Sequence, residues 1–307
     1  MNSDLFFPRR HFGGIPSPYD ELEKSRIVVL PVPYDATSDW HSGAREGPQA
    51  IINASQVLEF YDHELDEETF TVGIHTMPEL QPDMSGPEQM VQRVEEAVGG
   101  ILEQRKLPVM LGGEHSITVG AVRACLKHFP KLSVLYLDAH GDLRDSYLGT
   151  KFNHACVARR LWELCPVTQA GVRAISLEER DFLKEQGKQP FYADGQEWDK
   201  KSIQQVVSTL KRDVYITIDL DVFDPSIMSA VGNPVPGGVG WHPMLNLLRA
   251  VADKHRIVGF DVVELNPREG PQACAFLAAQ LTYKLMGYAE CLKAILSPLG
   301  GEIQREG

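Results

Sequence analysis

The 307-residue chain lacks any Cys-x-x-Cys pair, and its five cysteines, Cys125, Cys156, Cys165, Cys274 and Cys291, are odd in number. That argues against a zinc ribbon, suggests no disulfide framework and fits a reducing compartment. No apolar run approaches the roughly 18 residues needed to cross a bilayer, and residues 1–10 carry no apolar signal core. The expectation is a cytoplasmic protein with no membrane partner. Positive charge is scarce too: 30 Lys and Arg against 42 Asp and Glu leave a formal net charge of -12. Nucleic acid is thereby disfavoured, because phosphates require a basic face. There is neither a G-x-G-x-x-G spacing nor a P-loop lysine, so Gly112-Gly113 reads as a tight turn rather than a phosphate cradle.

What the chain does have is apolar content, 43% of its residues, arranged in a regular alternation. Residues 1–25, rich in Pro, Gly and charge, read as an irregular arm leading into a strand at 26–30. A helix at 50–58, an acidic loop at 62–68 and a helix at 88–102 follow. Then come strand 108–111, helix 116–128, strand 132–137, helix 154–164, strand 167–171 and helix 177–186. The pattern ends with strand 190–193, helix 199–211, strand 214–218, helix 242–254, strand 257–260 and a long helix 271–296. Strands and helices alternating at this spacing predict an α/β protein, a single domain over 1–307 with a parallel central sheet between two helical layers.

Five of the apolar runs end in carboxylates or histidine: 27–30 before Asp35, 109–111 before Glu114-His115, 134–137 before Asp138-Ala139-His140-Gly141-Asp142, 214–218 before Asp219-Leu220-Asp221, and 257–260 before Asp261 and Glu264. In a parallel sheet the carboxyl ends of strands share one edge, where ligands bind. Asp138, His140 and Asp142 at i, i+2, i+4 fall on one face of extended chain, and Asp219 and Asp221 repeat the spacing. Carboxylates gathered so closely repel unless protons or cations intervene. Together with His115 they make four carboxylates and two imidazoles, a donor set for two divalent cations. Oxygen-rich donors with one imidazole per ion suit Mn²⁺ better than a structural Zn²⁺.

Three ordered segments, Gly112-Gly113-Glu114-His115-Ser116, Asp138-Ala139-His140-Gly141-Asp142 and Asp219-Leu220-Asp221-Val222-Phe223-Asp224-Pro225, resemble the signature motifs of the ureohydrolases, the superfamily of arginase and agmatinase. Gly43-Ala44-Arg45-Glu46-Gly47-Pro48 and Asp261-Val262-Val263-Glu264-Leu265-Asn266-Pro267 extend the resemblance over nearly the whole chain. It implies an arginase-like α/β/α fold and two Mn²⁺ per chain. His115, Asp138, Asp142 and Asp219 would hold one ion, and Asp138, His140, Asp219 and Asp221 the other, with a shared water that attacks a guanidinium carbon. Glu264 would take the guanidinium, and His154 would shuttle a proton to the leaving amine. Asp142 counts with His154 and Glu264 as catalytic, while Glu264, His154 and Asn153 would meet substrate. The resemblance also implies a homo-oligomer, trimeric or hexameric. Asp35 and Asp261 match no ligand position.

The substrate would be a small cationic guanidino compound. Leu143-Arg144-Asp145-Ser146-Tyr147-Leu148-Gly149 lacks the Asn-containing stretch of arginase, and Gly171-Val172-Arg173-Ala174 lacks the acid that follows there. These segments, with Asn153-His154-Ala155-Cys156, are similar to the agmatinase branch, which implies agmatine cleaved to putrescine and urea. Asn153 in place of a common Ser, and Asn233 in place of a usual Thr, keep aminopropylagmatine and guanidinobutyrate open, with arginine behind them. A non-catalytic homologue is the reading of another class, and all six ligand positions, Glu264 and His154 are retained against it. Trp40 and His41 read as a solvent-facing loop that could line the entrance.

Overall fold

Strands buried on both faces need a helical layer on each side of their sheet. The computed structural model describes residues 10–193 and 198–292. Its elements run β1 (Ile27–Val32), α1 (Gly47–Ser55), β2 (Tyr61–Asp62), β3 (Glu67–Glu68), β4 (Ile74–Thr76), α2 (Pro87–Glu103), β5 (Leu107–Gly112), α3 (Thr118–His128) and β6 (Leu132–Leu137). They continue with α4 (Val157–Trp162), β7 (Val167–Val172), α5 (Leu177–Glu185), β8 (Phe191–Tyr192), α6 (Lys200–Thr209), β9 (Asp213–Asp219), α7 (Trp241–Ala252), β10 (Arg256–Val263) and α8 (Gln272–Cys291). Eight strands form one sheet in the order β4-β1-β5-β10-β9-β6-β7-β8, and every pairing in it is parallel. The last strand, β10, lies between β5 and β9 and so joins β4-β1-β5 to β9-β6-β7-β8.

The period of two sorts side chains between the layers. Val29, Val109, Leu135, Ile216 and Phe260 pack with Ile51 of α1, Val206 of α6, Leu248 of α7 and Leu285 of α8. Val28, Met110, Val134 and Tyr215 point the other way, onto Val94 of α2, Val122 of α3, Leu161 of α4 and Leu183 of α5. The result is the expected three-layer α/β/α arrangement. No described helix is long and apolar enough to cross a membrane.

Several boundaries differ from the sequence reading for local reasons. The helix expected at 50–58 begins earlier, with Pro48 in its first turn, where a missing N–H costs nothing. The helices expected from 116 and 154 open instead with tight turns, His115–Ile117 and His154–Cys156, before α3 and α4. The acidic loop at 62–68 is in part a two-stranded hairpin, β2 with β3. Lys284 of α8 anchors it, its Nζ lying 2.7 Å from Asp62 and 2.6 Å from Glu64. Strand β4 escaped the reading because three residues are too few to show a period, yet it adds the edge beside β1. Helix α8 ends at Cys291, and residues 293–296 of the expected helix, like 1–9 of the arm, lie outside the described residues.

Helices α2 and α3 approach closely at Gly120, where an added Cβ would stand 2.2 Å from the Val91 carbonyl oxygen and 2.9 Å from Val94 Cβ. Overpacking of this kind costs about 1–3 kcal/mol. Gly120→Ala is therefore expected to lower the melting temperature by several degrees, read by circular dichroism; an unchanged melting temperature would refute the tight helix contact.

Candidate metal centre

Five consecutive strands of the sheet, β1-β5-β10-β9-β6, are the five whose carboxyl ends carry the charges read from sequence, so residues far apart in the chain meet on one edge. His115 follows β5 through Gly112-Gly113, where an added Cβ at Gly113 would lie 2.1 Å from the Tyr34 carbonyl oxygen. The pair permits a close backbone crossing: Glu114 N–H donates to Tyr34 O at 2.7 Å, and Gly113 O accepts from Glu264 N at 2.8 Å. Strand β6 delivers Asp138, His140 and Asp142, and β9 delivers Asp219 and Asp221.

His115 Nδ1 stands 3.0 Å from Asp138 Oδ2, 3.2 Å from Asp219 Oδ2 and 3.7 Å from Asp142 Oδ2. His140 Nδ1 is 2.8 Å from Asp221 Oδ2 and 3.6 Å from Asp138 Oδ1. Two groups, His115-Asp138-Asp219 and Asp138-His140-Asp221, have ligand atoms all within 4.8 Å of one another. Asp138 belongs to both. Its Oδ2 is buried without a hydrogen-bond donor, and His115 Nδ1 nears it without hydrogen-bond alignment, as ligands do that converge on a common third atom. Carboxylate oxygens and imidazole nitrogens in this geometry fit two hard or borderline divalent cations, and the site is a binuclear metal-binding centre. Asp142 stands just outside the tight groups, its Oδ2 accepting the Tyr136 hydroxyl at 2.6 Å.

The ligand orientations are set by a layer behind them. His115 Nε2 lies 2.8 Å from Thr217 Oγ1, and Thr217 in turn donates to Asp261. Because the Thr217 hydroxyl spends its proton on Asp261, it accepts from His115 Nε2–H, which leaves Nδ1 as the nitrogen that faces the aspartates. Asp261 also accepts the Thr118 and Tyr215 hydroxyls at 3.0 and 2.8 Å, so the carboxylate with no ligand role positions a ligand. Asp221 Oδ1 accepts Ala139 N–H, and Asp138 Oδ1 accepts His140 N–H. Arg173 Nη2 donates to the carbonyls of Asp221, Phe223 and Val235, and its Nη1 to those of Gly171 and Val222. One guanidinium thus clamps the loop after β9. Asp224, read as a turn former, holds the same loop by accepting the Ser226, Gly237 and Gly238 N–H groups.

A second cluster borders the first in a cavity of about 410 Å³, lined among others by Asp39, Trp40, His41, Tyr147, His154, Asn233 and Glu264. Glu264 Oε1 accepts the His115 N–H at 2.7 Å. Burial and the nearby Glu114 carboxylate push its pKa up to about 8. Glu264 and Asp142 have φ of 67° and 49°, left-handed conformations that are strained for a residue such as Glu and recur at functional sites. His154 reaches the cavity with Nδ1 3.3 Å from Thr37 Oγ1 and Nε2 3.7 Å from Asp39 Oδ1. Thr37 donates its hydroxyl to Glu114 at 2.7 Å and so accepts Nδ1–H of His154, leaving Nε2 to face the cavity. Burial holds the His154 imidazole below its ordinary pKa. Asn153 stands apart: it is buried, caps the turn that carries His154 by accepting Ala155 N–H at 2.9 Å, and is not among the lining residues.

Sequence reasoning passed over Thr37, Asp39, Tyr136, Arg173 and the positioning role of Asp261, none of which stands in a periodic or ligand-like pattern. For Asp261 the signal was present, a carboxylate inside a buried strand. For Arg173 it was a charge directly after Val172, the last residue of β7.

The fold and centre together define a binuclear metal hydrolase of the three-layer α/β class. A model described as the arginase family matches residues 25–287, and the chain belongs to that family. It is 39% identical to N(1)-aminopropylagmatine ureohydrolase of Synechocystis sp. over 85% of this chain and 88% of the relative. Agmatinase of Pyrococcus horikoshii is 34% identical over 88% and 94% of the two chains. Among solved structures, agmatine ureohydrolase of Thermoplasma volcanium superposes with a TM-score of 0.82 at 32% identity, covering 95% and 98%.

Without metal, His115 and His140 are held protonated. Against the pull of burial, Asp138 and Asp219 raise His115 well above the usual imidazole range, and Asp221 and Asp138 do the same for His140. Ligation requires neutral imidazoles, so divalent ions must displace these protons. Titrating metal-free protein with Mn²⁺ in weak buffer at pH 7.5 is expected to release at least about two protons per chain, with affinity falling as pH falls. Metal uptake without acidification would contradict this arrangement.

Proposed function

We propose that this chain hydrolyses a guanidino compound bearing a polyamine tail to urea and an amine, with N(1)-aminopropylagmatine as the preferred substrate and Mn²⁺ as the metal. The observation that carries the reaction class is the placement of Glu264 and His154 in one cavity with a two-metal donor set. His115, Asp138, Asp142 and Asp219 would hold one ion, and Asp138, His140, Asp219 and Asp221 the other. Bound there, the pair supplies positive charge beside the reacting carbon and water ionised near neutral pH.

The protein's own groups do the rest. Glu264, raised in pKa while alone, ionises when a guanidinium cation arrives and accepts its N–H groups, which fixes the planar carbon in the cavity. Water adds to that carbon, the bond to the substituted nitrogen breaks with its electron pair on nitrogen, and the products are urea and an amine. His154 Nε2, left free by the Thr37 hydrogen bond, is placed to carry the proton that the leaving nitrogen needs. Since burial lowers its pKa, His154 is neutral at pH 7 and able to take up that proton before passing it on.

The tail favours aminopropylagmatine over agmatine on two grounds. The relative acting on it shares more of this sequence, 39% against 34% for the agmatinase, and the cavity wall includes, besides the metal groups, Tyr147 and the exposed Trp40, surface that a longer chain can contact. Agmatine, the first substrate suggested by the motifs, is the second reading.

Urea release from Mn²⁺-loaded protein is expected to be most efficient with N(1)-aminopropylagmatine, lower with agmatine and lowest with guanidinobutyrate and arginine. No urea from any of these compounds would end the enzymatic reading. In Asp221→Ala, metal analysis should find about one ion per chain in place of two, with an unchanged far-ultraviolet spectrum. Two ions at full occupancy would refute the ligand assignment.

A further inference from the structure

The carboxylates that line the cavity can be sorted by what already occupies their oxygens. Asp219 and Asp221 belong to the metal groups, and Asp142 is taken by the Tyr136 hydroxyl beside His115. Glu264 lies against the His115 backbone, with its own claim on the guanidinium. Glu179, acidic and in the wall, is fully used: Oε1 accepts Leu143 N–H at 2.9 Å and Oε2 accepts Ser176 N–H at 2.6 Å, as the capping box of α5. Asp39 is left. Its Oδ2 accepts one hydroxyl, from Tyr147 at 2.8 Å, and its Oδ1 has His154 Nε2 at 3.7 Å, beyond hydrogen-bond length.

The loop that carries Asp39 is fixed at both ends. Glu114 accepts Thr37 N–H at 2.7 Å and Ser38 N–H at 3.1 Å. On the far side Asp35 accepts Gly43 N–H at 2.8 Å and pairs with Arg45. Between these anchors His41 Nδ1 lies 2.9 Å from Glu269, its ring 5.0 Å from that of Trp40, which is 74% exposed. Asp39 therefore stands as a preorganised carboxylate in the cavity wall, with the Tyr147 hydroxyl on its oxygen and Trp40 next to it in the chain. Such a carboxylate suits an ammonium group on a methylene chain, through a charge-assisted hydrogen bond.

We infer that Asp39 is the specificity-determining residue for the far end of the substrate, binding a tail ammonium while Glu264 holds the guanidinium. This deepens the proposed function and rests on it. The ligand class it selects is a guanidine with a cationic amine at the other end of its chain. A carboxylate tail would seek Arg144 instead, whose guanidinium lies 4.9 Å from the centre of the Tyr147 ring, so guanidinobutyrate serves as the counter-probe.

The experiment compares wild type and Asp39→Asn, both Mn²⁺-loaded, with N(1)-aminopropylagmatine, agmatine, guanidinobutyrate and the neutral-tailed 1-butylguanidine. Loss of a hydrogen bond to a charged group is expected to lower kcat/KM for the cationic tails by about tenfold relative to the other two, chiefly through KM. Asp39 also faces His154, but an effect through proton transfer would lower kcat for every substrate in the same proportion. An unchanged ratio between cationic and other tails overturns the inference, even if all rates fall. If wild type releases urea from none of them, the proposed function fails. Asp39 is then still tested by calorimetry with 1,4-diaminobutane, which should bind wild type about tenfold more tightly than Asp39→Asn; equal affinities overturn it. Tyr147→Phe, which removes only the hydroxyl that Asp39 accepts, should keep the preference for cationic tails, and loss of that preference would assign selectivity to Tyr147.

Discussion

Mutual repulsion among Asp138, Asp142, Asp219 and Asp221 is the constraint around which this molecule is arranged. Burial and their neighbours' charges push Asp142 and Asp219 well above ordinary carboxylate pKa values, so the metal-free cluster survives by sharing protons with His115 and His140. Metals replace those protons. The sheet brings the repelling groups together, since hydrophobic burial along β6 and β9 leaves their chain ends no other place to go. The surrounding hydrogen bonds, from Tyr136 to Asp142, Thr217 to Asp261 and Arg173 to six residues' carbonyls, hold each group at a fixed angle against that repulsion.

Most of the fold was legible because each long strand and helix imposes a period on its own residues. Segments such as 132–137 needed no outside partner to be read, and the apolar runs ending in charge marked the common sheet edge. The centre was legible for the same reason: Asp138, His140 and Asp142 declare a shared face by spacing alone. What stayed hidden depends on contacts between distant segments. Thr37 matters because it bridges Glu114 and His154, 77 and 117 residues away, and Arg173 acts on backbone carbonyls, which carry no residue identity. Asn153 was placed at the substrate because it precedes His154, whereas the turn directs its side chain to its own backbone.

Two different kinds of rigidity meet in the cavity. The metal end is held by strand ends and buried hydrogen bonds, so the geometry around the reacting carbon is set by the sheet. The outer end is built from loops around Asp39, Tyr147 and Asn233, held by pins such as Glu114 on Thr37 and Asp35 on Gly43. Chemistry common to a family and selectivity particular to one member are thereby lodged in separate parts of the chain. A change in loop 38–42 can alter what the tail must look like without touching the donors of Asp138 or Asp219.

The position of β10 has a consequence for how the protein comes into being. It is the last of the described strands and the one that fills the gap between β5 and β9, so a chain growing from its N-terminus must hold two partial sheets with open edges until residues 256–263 emerge. His115 belongs to one of these partial sheets, Asp138 and Asp219 to the other. The second half carries the whole of the Asp138-His140-Asp221 group, whereas the His115-Asp138-Asp219 group is divided between the two. The His115-Asp138-Asp219 group can therefore come together only after β10 has locked in, so a chain cut short before that strand would lack this metal group and expose two raw edges.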